Sequence, residues 1–130
     1  MATPFDLPPG LRGILPSQWL QRAVDQGVIT SERYRIPVAS VQPASVDLRL
    51  GETAYRLRCS FLPEGERIET KLAELSMGQI DLRDGAILER NRPYLIPIIE
   101  ELDLPARVAA RTNPRSSTGR LDIFTRVITD

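Results

Sequence analysis

The chain has 130 residues, of which 42% are hydrophobic and only 5% aromatic, and its 17 basic and 17 acidic side chains give a formal net charge of zero. This length suits a single domain with an aliphatic core, so we expect residues 1–130 to fold as one domain. The balanced charge argues against nucleic acid as a partner, because nucleic-acid binding needs a basic surface that displaces counterions.

The residue types that are missing narrow the chemistry. The chain has no histidine and a single cysteine, Cys59. It therefore cannot assemble a Ser-His-Asp triad, a Cys-His dyad or a histidine zinc site, and the zinc-deaminase motifs H-x-E and P-C-x-x-C are absent. We expect no zinc and no metal site built by the protein. One cysteine excludes an internal disulfide, and neither a signal peptide nor an apolar run of about 18 residues occurs, which favours a cytoplasmic protein without membrane contact.

The chain begins with an arm and one amphipathic helix. Residues 1–16 contain four prolines and two glycines, a composition typical of an extended arm. Between Ser17 and Gln26 the apolar residues recur with the period of a helix, with Ser17 as the N-cap and Gly27 as the stop signal. The apolar face of this predicted helix consists of Trp19, Leu20, Ala23 and Val24.

After the helix, the period changes to the alternation of apolar and polar residues that is typical of strands. Ser45–Leu50 alternates strictly, and Tyr55–Phe61 alternates again with Cys59 facing inward and Arg56 outward. Residues 63–78 predict a loop with at most one helical turn. Further strands are predicted at Gln79–Leu82, Ala86–Glu89, Tyr94–Ile99, Arg107–Thr112 and Ile123–Ile128. These short strands predict a mainly β fold, a barrel or double sheet with one or two short helices.

The segment Asn113–Arg120 is the best candidate for a binding site. Asn113 followed by Pro114 predicts the N-cap and the first position of a short helix. The first turn of that helix would offer backbone N–H groups, hydroxyls and flanking guanidinium groups, a combination suited to polyphosphate. The residues concerned are Arg115, Ser116, Ser117 and Arg120. On spacing alone a second interpretation stays open, in which the serines only cap the turn and the arginines are solvated.

The same segment resembles a motif of a known family. Pro114–Leu121 is similar to the R-S-S-x-x-R-x-G segment of dCTP deaminases, which is related to the R-S-S motif of trimeric dUTPases. Earlier in the chain, Pro43–Gly51 resembles the A-[ST]-V-D-[LV]-R-L-G strand of that family. Gly13–Ile29 and Tyr94–Pro105 are also similar to it, and the stretches follow the family's order. The resemblance implies a dUTPase-like β-clip or distorted barrel that assembles as a homotrimer.

The resemblance also implies roles for individual residues. The triphosphate-binding positions are Arg115, Ser116, Ser117, Thr118, Gly119 and Arg120. The positions implied in catalysis are Ser116 and Arg120, beside the reacting pyrimidine and its water, and Thr129, whose backbone helps to hold that water. Asp122 stands where many members have glycine, and Asp130 where some have histidine. Asp47 matches an acidic position of the family's strand. Its carboxylate is expected either to form an ion pair with a nearby arginine or to contact a metal ion.

The activity implied by the resemblance is hydrolytic deamination of dCTP to dUTP and ammonia, a step of dUTP and dTTP biosynthesis. Mg²⁺ would be bound mainly through the nucleotide triphosphate. The family's general base is a glutamate that follows a G-Y-x-G-like turn. It cannot be placed here, since Glu100 and Glu101 do not match it and the chain ends at Asp130. We therefore expect residues 1–130 to be inactive alone, as the first part of a longer, two-part enzyme.

Two alternatives stay open. The first is a dUTP pyrophosphatase, acting alone or combined with deamination. An aspartate-tyrosine motif further along the sequence would favour this activity, whereas a glutamate there would favour deamination. The second is a non-catalytic domain that binds dCTP or dUTP and holds a trimer together, with the catalytic residues elsewhere in the protein.

Overall fold

A computed structural model of the chain describes residues 5–128. The α-helices of this described range are α1 (Ser17–Asp25), α2 (Ile68–Leu75) and α3 (Ser116–Arg120). The strands are β1 (Ile29–Thr30), β2 (Thr53–Leu57), β3 (Ser76–Asp81), β4 (Tyr94–Leu95) and β5 (Glu101–Leu102), and a short 3-10 helix lies at Val38–Ser40. Strands outnumber α-helices among the described residues, as the alternating pattern predicted. Within the same range, no helix is both long and apolar enough to cross a membrane.

The chain forms two compact units. Unit 1 comprises the residues up to Glu52 together with Pro97–Val108, and unit 2 comprises Thr53–Ile96 together with the residues from Ala109 onward. In unit 1, β1 pairs antiparallel with β5, with Ile29 opposite Leu102. The core of unit 1 lies between this pair and α1, and its buried residues are Ala23, Val28, Ile29 and Ile36.

Helix α1 confirms the helical period at Ser17–Gln26 to within one residue. It buries Ala23 to 3% exposure and ends before Gly27, whose φ of +76° is a conformation that side chains disfavour. The predicted N-cap is wrong, because Pro16 occupies the cap position and Ser17 is the first helical residue. The N–H of Ser17 donates instead to the carbonyl of Pro43 at 2.9 Å, which fixes the start of the helix against the following loop.

Ser45–Leu50 is not a regular strand, and this prediction is wrong. The segment makes isolated bridges, among them one between Leu50 and Ile98. The N–H of Gly51 donates to the carbonyl of Pro97 at 2.7 Å, but Pro97 has no N–H to return, so the ladder cannot continue. Leu50, the last apolar residue of the alternating pattern, is 60% exposed.

Strand β2 is the centre of the antiparallel sheet of unit 2, whose order is β3-β2-β4. Its register with β3 places Thr53 opposite Asp81, and its register with β4 places Tyr55 opposite Leu95. Ala54 is fully buried and Leu57 is 4% exposed, so the small core of this unit lies along one strand.

The loop predicted for residues 63–78 is wrong, because it contains α2 and the start of β3. Ile68, Leu72 and Leu75 recur at helical spacing and are half-buried. Acidic and polar residues surround these three positions, which weakens the apolar pattern in the sequence.

Strand β2 ends earlier than the alternation predicted, and Cys59 lies beyond it. The register with β3 shifts between Arg56 and Leu57, which interrupts the period of two. Cys59 is exposed, so its prediction as a core residue is wrong. Arg56 does not face solvent freely either. Its guanidinium pairs with Glu89 at 2.5 Å, and its buried Nε has no hydrogen-bond partner among the described residues.

Three further predicted strands are not strands in the structure of residues 5–128. They are Ala86–Glu89, Arg107–Thr112 and the described stretch Ile123–Ile128. A strand requires a neighbour that completes its hydrogen bonds, and an alternating pattern does not specify that neighbour. The predicted Tyr94–Ile99 strand shortens to Tyr94–Leu95 for the same reason, since Pro97 interrupts it.

Candidate functional site

Helix α3 contains most of the candidate phosphate-binding residues. It begins at Ser116, after Arg115 in an extended conformation with φ −65° and ψ 144°. The carbonyl of Arg115 accepts hydrogen bonds from the N–H groups of Thr118 at 3.0 Å and Gly119 at 3.3 Å. The helix therefore starts two residues later than predicted, and Asn113 is not its N-cap.

The donors of α3 lie on an accessible surface. Arg115, Ser116, Ser117 and Arg120 are exposed, and Thr118 is half-buried. Ser116 and Arg120 are four residues apart, so their side chains project from the same face of the helix. Within residues 5–128, the guanidinium of Arg120 has no carboxylate partner, and the N–H groups of Ser116 and Ser117 donate no hydrogen bond. Hydroxyl, N–H and guanidinium donors can thus converge on one anion.

The end of α3 explains a departure from the family's motif. Asp122 has a φ of +54°, in the left-handed region where glycine is preferred. Its N–H donates to the carbonyl of Gly119 at 3.0 Å, and the N–H of Ile123 donates to Thr118 at 3.3 Å. Aspartate is one of the few residues that tolerate this conformation, so the turn expected of a glycine forms here without one.

The structure does not place every candidate. Thr129, the third residue implied in catalysis, lies outside the described residues, as does Asp130. The described candidates are consecutive along α3 and its N-cap, so the segment itself brings them together. No group of three or more His, Cys, Asp or Glu side chains that could hold a metal ion occurs within the described part of the chain.

Glu100 has a structural role in unit 1. It is 2% exposed and accepts hydrogen bonds from the backbone N–H of Arg49 at 2.7 Å and from its Nε at 2.6 Å. Arg49 also donates to the carbonyl of Tyr34 at 3.1 Å. A carboxylate with these bonds is not available as a general base, in agreement with the mismatch between Glu100 and the family's glutamate. Sequence reasoning missed this ion pair, although a glutamate directly after the apolar run at residues 94–99 was a signal for it.

Asp47 lies in the segment that resembles the family's strand. Its side chain accepts a hydrogen bond from Nε2 of Gln42 at 3.4 Å, and its N–H donates to the carbonyl of Ser40 at 2.8 Å. These contacts hold the chain reversal between residues 40 and 47. They fit a structural carboxylate, the role that the sequence left open beside metal contact.

Comparison with known proteins bears on this arrangement. Residues 11–130 match the sequence profile of a family described as the 2'-deoxycytidine 5'-triphosphate deaminase N-terminal domain. The chain is 30% identical over 115 residues to a protein of Methanothermobacter thermautotrophicus named "dCTP deaminase, dUMP-forming". A protein of Dictyoglomus thermophilum with the same name is 29% identical over 113 residues. These matches cover 88% and 85% of this chain, respectively, and 58% of each relative.

A solved structure gives the same result at the level of the fold. The crystal structure of 2'-deoxycytidine 5'-triphosphate deaminase from Agrobacterium tumefaciens superposes with a TM-score of 0.85 at 48% sequence identity. The match covers 91% of this chain and 36% of the Agrobacterium chain. The chain therefore spans little more than half the length of the two curated relatives and about a third of the solved one.

Proposed function

Because residues 11–130 match its profile, the chain belongs to the dCTP deaminase N-terminal domain family, and from this premise we propose that the whole protein deaminates dCTP. Water would add to the ring carbon that bears the 4-amino group of cytosine, and ammonia would leave, so that dCTP and water give dUTP and ammonia. The observation that carries this proposal is the exposed donor set of α3, which lies within the matched range and agrees with the family's R-S-S motif.

The role of α3 is to bind the triphosphate. Arg115 and Arg120 supply guanidinium groups that donate pairs of hydrogen bonds to phosphate oxygens. The hydroxyls of Ser116, Ser117 and Thr118 add uncharged donors, and Gly119, which has no side chain, lets the phosphate approach the backbone. Charge-assisted hydrogen bonds contribute roughly 1.5–3 kcal/mol each, and the exposure of these arginines places them at the lower end of that range.

The catalytic roles are also proposals. Ser116 and Arg120 would contact the pyrimidine and orient the attacking water, and the backbone of Thr129 would accept a hydrogen bond from that water. No residue of 1–130 matches the glutamate base of the family. We therefore assign nucleotide binding to these residues and proton transfer to residues outside them.

Magnesium would enter with the nucleotide. The described residues hold no cluster of acidic or thiol ligands that could bind a metal ion by themselves. We infer that Mg²⁺ would be held mainly by triphosphate oxygens, which it prefers. No zinc is expected, because residues 1–130 contain no histidine and one cysteine. The ion would neutralise part of the negative charge of the triphosphate, next to the arginines of α3.

A second activity has specific support. Both curated relatives are named dUMP-forming. We propose as the second candidate that the whole protein also removes pyrophosphate from dUTP. Chromatography of the products formed from dCTP by the complete protein separates the two cases: dUTP with ammonia indicates deamination alone, and dUMP with pyrophosphate indicates both steps.

A homotrimer in the cytoplasm is part of the proposal. The stretch after α3 exposes large apolar side chains, with Phe124 98% and Leu121 72% exposed. An exposed apolar patch of this kind is typical of a surface that another subunit or another part of the protein covers. The single cysteine, exposed at position 59, fits a reducing compartment.

The deciding experiment compares arginine variants of the complete protein by calorimetric titration with dCTP and deoxycytidine at constant magnesium. Arg120→Ala should weaken dCTP binding about ten- to a hundredfold, through lost charge-assisted hydrogen bonds to phosphate, and weaken deoxycytidine binding less, because the nucleoside has no phosphate. Arg92→Ala is the control, since Arg92 is also exposed and lies outside α3. Arg56 does not serve as a control, because it is half-buried in an ion pair. Unchanged dCTP binding by Arg120→Ala would remove the assignment, and binding without turnover would favour the non-catalytic domain.

A further inference from the structure

The amino-terminal arm is docked on unit 1 at its tip. The ring of Phe5 meets the ring of Trp19 edge to face, with centroids 6.3 Å apart and planes at 83°. Phe5 also packs against the core of unit 1, and Leu7 is only 9% exposed. On the side chain of Trp19, the guanidinium of Arg22 lies 4.8 Å from the ring centroid. The ring of Phe5 therefore covers part of α1 at Trp19.

Arg107 fastens this arm from a distant part of the sequence. Its Nη1 donates to the carbonyl of Leu7 at 3.3 Å, and its Nη2 donates to the carbonyl of Pro8 at 3.4 Å. Both bonds are long, both acceptors are uncharged, and within residues 5–128 no carboxylate pairs with this guanidinium. These two hydrogen bonds are weak enough for thermal motion to break them. They form only when the arm lies on unit 1.

The root of the arm has no such contacts. The N–H of Leu11 closes a turn on the carbonyl of Pro8 at 3.1 Å, and Leu11 and Arg12 are exposed. Gly10 and Gly13 have φ values of +85° and +107°, and no atom lies within 4 Å of the position that a side chain would occupy. Two glycines in open surroundings give this stretch the backbone freedom of a hinge.

We propose that residues 5–13 form a strap that opens and closes over α1, with Gly10 and Gly13 as its hinge and Arg107 as its latch. In the closed form the strap covers Trp19 and the adjoining apolar face of α1. In the open form that face and the guanidinium of Arg107 are both accessible. Opening breaks the contacts at the tip and leaves the β1–β5 pair and the remaining core of unit 1 intact.

Trp19 is the only tryptophan of residues 1–130, and the difference between the parent and a Trp19→Phe variant isolates its fluorescence in the complete protein. Quenching by acrylamide and chymotrypsin cleavage after Phe5, followed by mass spectrometry, measure the open form in the complete protein. Arg107→Ala should raise acrylamide quenching and speed cleavage after Phe5 about tenfold, the effect of losing two long hydrogen bonds to uncharged carbonyl oxygens. Arg111→Ala removes another exposed arginine and should change neither quantity. The thermal midpoint of Arg107→Ala should stay within about 2 °C of the parent, because the opening is local.

Unchanged quenching and cleavage in Arg107→Ala would overturn the latch, and so would cleavage that speeds up only in proportion to a loss of global stability. Phe5→Ala is the second variant, for use if Arg107→Ala does not fold by circular dichroism. It removes the contact with Trp19 without touching the latch, and its Trp19 quenching must rise as well. A Phe5→Ala variant with parental quenching would show that the strap does not cover α1 in solution.

Discussion

Asp122 shows how one residue fixes the end of the candidate site. It lies two residues after Arg120, the last residue of α3, and its left-handed φ of +54° forms the turn that ends the helix. We expect Asp122→Val to lower the free energy of unfolding by about 1–2 kcal/mol, because a β-branched side chain is strained in this conformation. Asp122→Gly is the matched control and should not lower it, as glycine adopts this φ freely. Urea denaturation of the complete protein measures both changes, and equal losses in the two variants would contradict the explanation.

Asp81 gives a pH-dependent prediction. Hydrogen bonds from the side chain and the backbone N–H of Arg83 lower the pKa of Asp81 from its ordinary 3.8 to about 2. Because the pKa is lower in the folded protein, the stabilisation is present above about pH 4 and is lost as the pH falls through 2. NMR titration of the Asp81 carboxyl should show this low pKa. Arg83→Ala should return it towards 3.8, whereas Arg90→Ala should leave it low. A parental titration curve in Arg83→Ala would rule out the proposed cause.

The contacts and the exposure of single residues were the features hardest to predict from the sequence. The roles of the α3 motif residues stay predictions, because they rest on the resemblance to the family's R-S-S motif. The partners of Glu100 were not predicted, and Cys59 was predicted to be buried although it is exposed. Both features depend on where a strand ends and on which segment lies opposite. Alternation specifies the face of a side chain only as long as the strand continues.

At the scale of elements, α1 was predictable and α2 was not. The apolar face of α1 is continuous and ends at a glycine, whereas the apolar positions of α2 are separated by charged residues. The Ser45–Leu50 segment had the clearest strand pattern in the chain, yet its neighbour contains Pro97, which cannot donate to a ladder. The strand propensity of one segment does not show whether the neighbouring segment can complete its hydrogen bonds.

Gly51 is the residue that allows this segment to approach its neighbour. A Cβ at position 51 would lie 2.9 Å from the carbonyl oxygen of Pro97. We expect Gly51→Ala to lower the free energy of unfolding by about 1–3 kcal/mol, the usual effect of forced overpacking. Gly119→Ala is the control, because no atom lies within 4 Å of its Cβ position and alanine favours a helix. If chemical denaturation shows Gly51→Ala to be as stable as the parent, the close approach to Pro97 does not limit this position.

The whole molecule confirms the fold class predicted from the sequence. The short strands and the two motifs predicted a mainly β, dUTPase-like fold, and the Agrobacterium dCTP deaminase structure matches with a TM-score of 0.85. Several predicted strands are not strands in the structure, although the predicted fold class is correct. The fold class was predicted from the order of the motifs, whereas each strand also depends on a pairing partner that its own sequence does not specify. That residues 1–130 act as one domain stays a prediction.

Turnover is the prediction that belongs to the whole chain. Residues 1–130 contain no match to the family's glutamate base, and general base catalysis contributes about 10²–10⁴-fold in rate. We expect these residues alone to bind dCTP but to release no ammonia above background. An enzyme-coupled ammonia assay measures this, with the complete protein as the positive control. Sustained deamination by residues 1–130, insensitive to chelators of transition metals, would show that the base lies among them.

The composition of unit 1 has a consequence for its synthesis. The residues up to Glu52 and Pro97–Val108 belong to unit 1, while Thr53–Ile96 between them belongs to unit 2. A ribosome adds about 5–20 residues per second, so the second stretch emerges several seconds after the first. During that interval Arg49 lacks the carboxylate of Glu100 and β1 lacks β5. We therefore expect the earliest part of the nascent chain to expose an unpaired strand and an unpaired arginine until the residues up to Leu102 have left the ribosome.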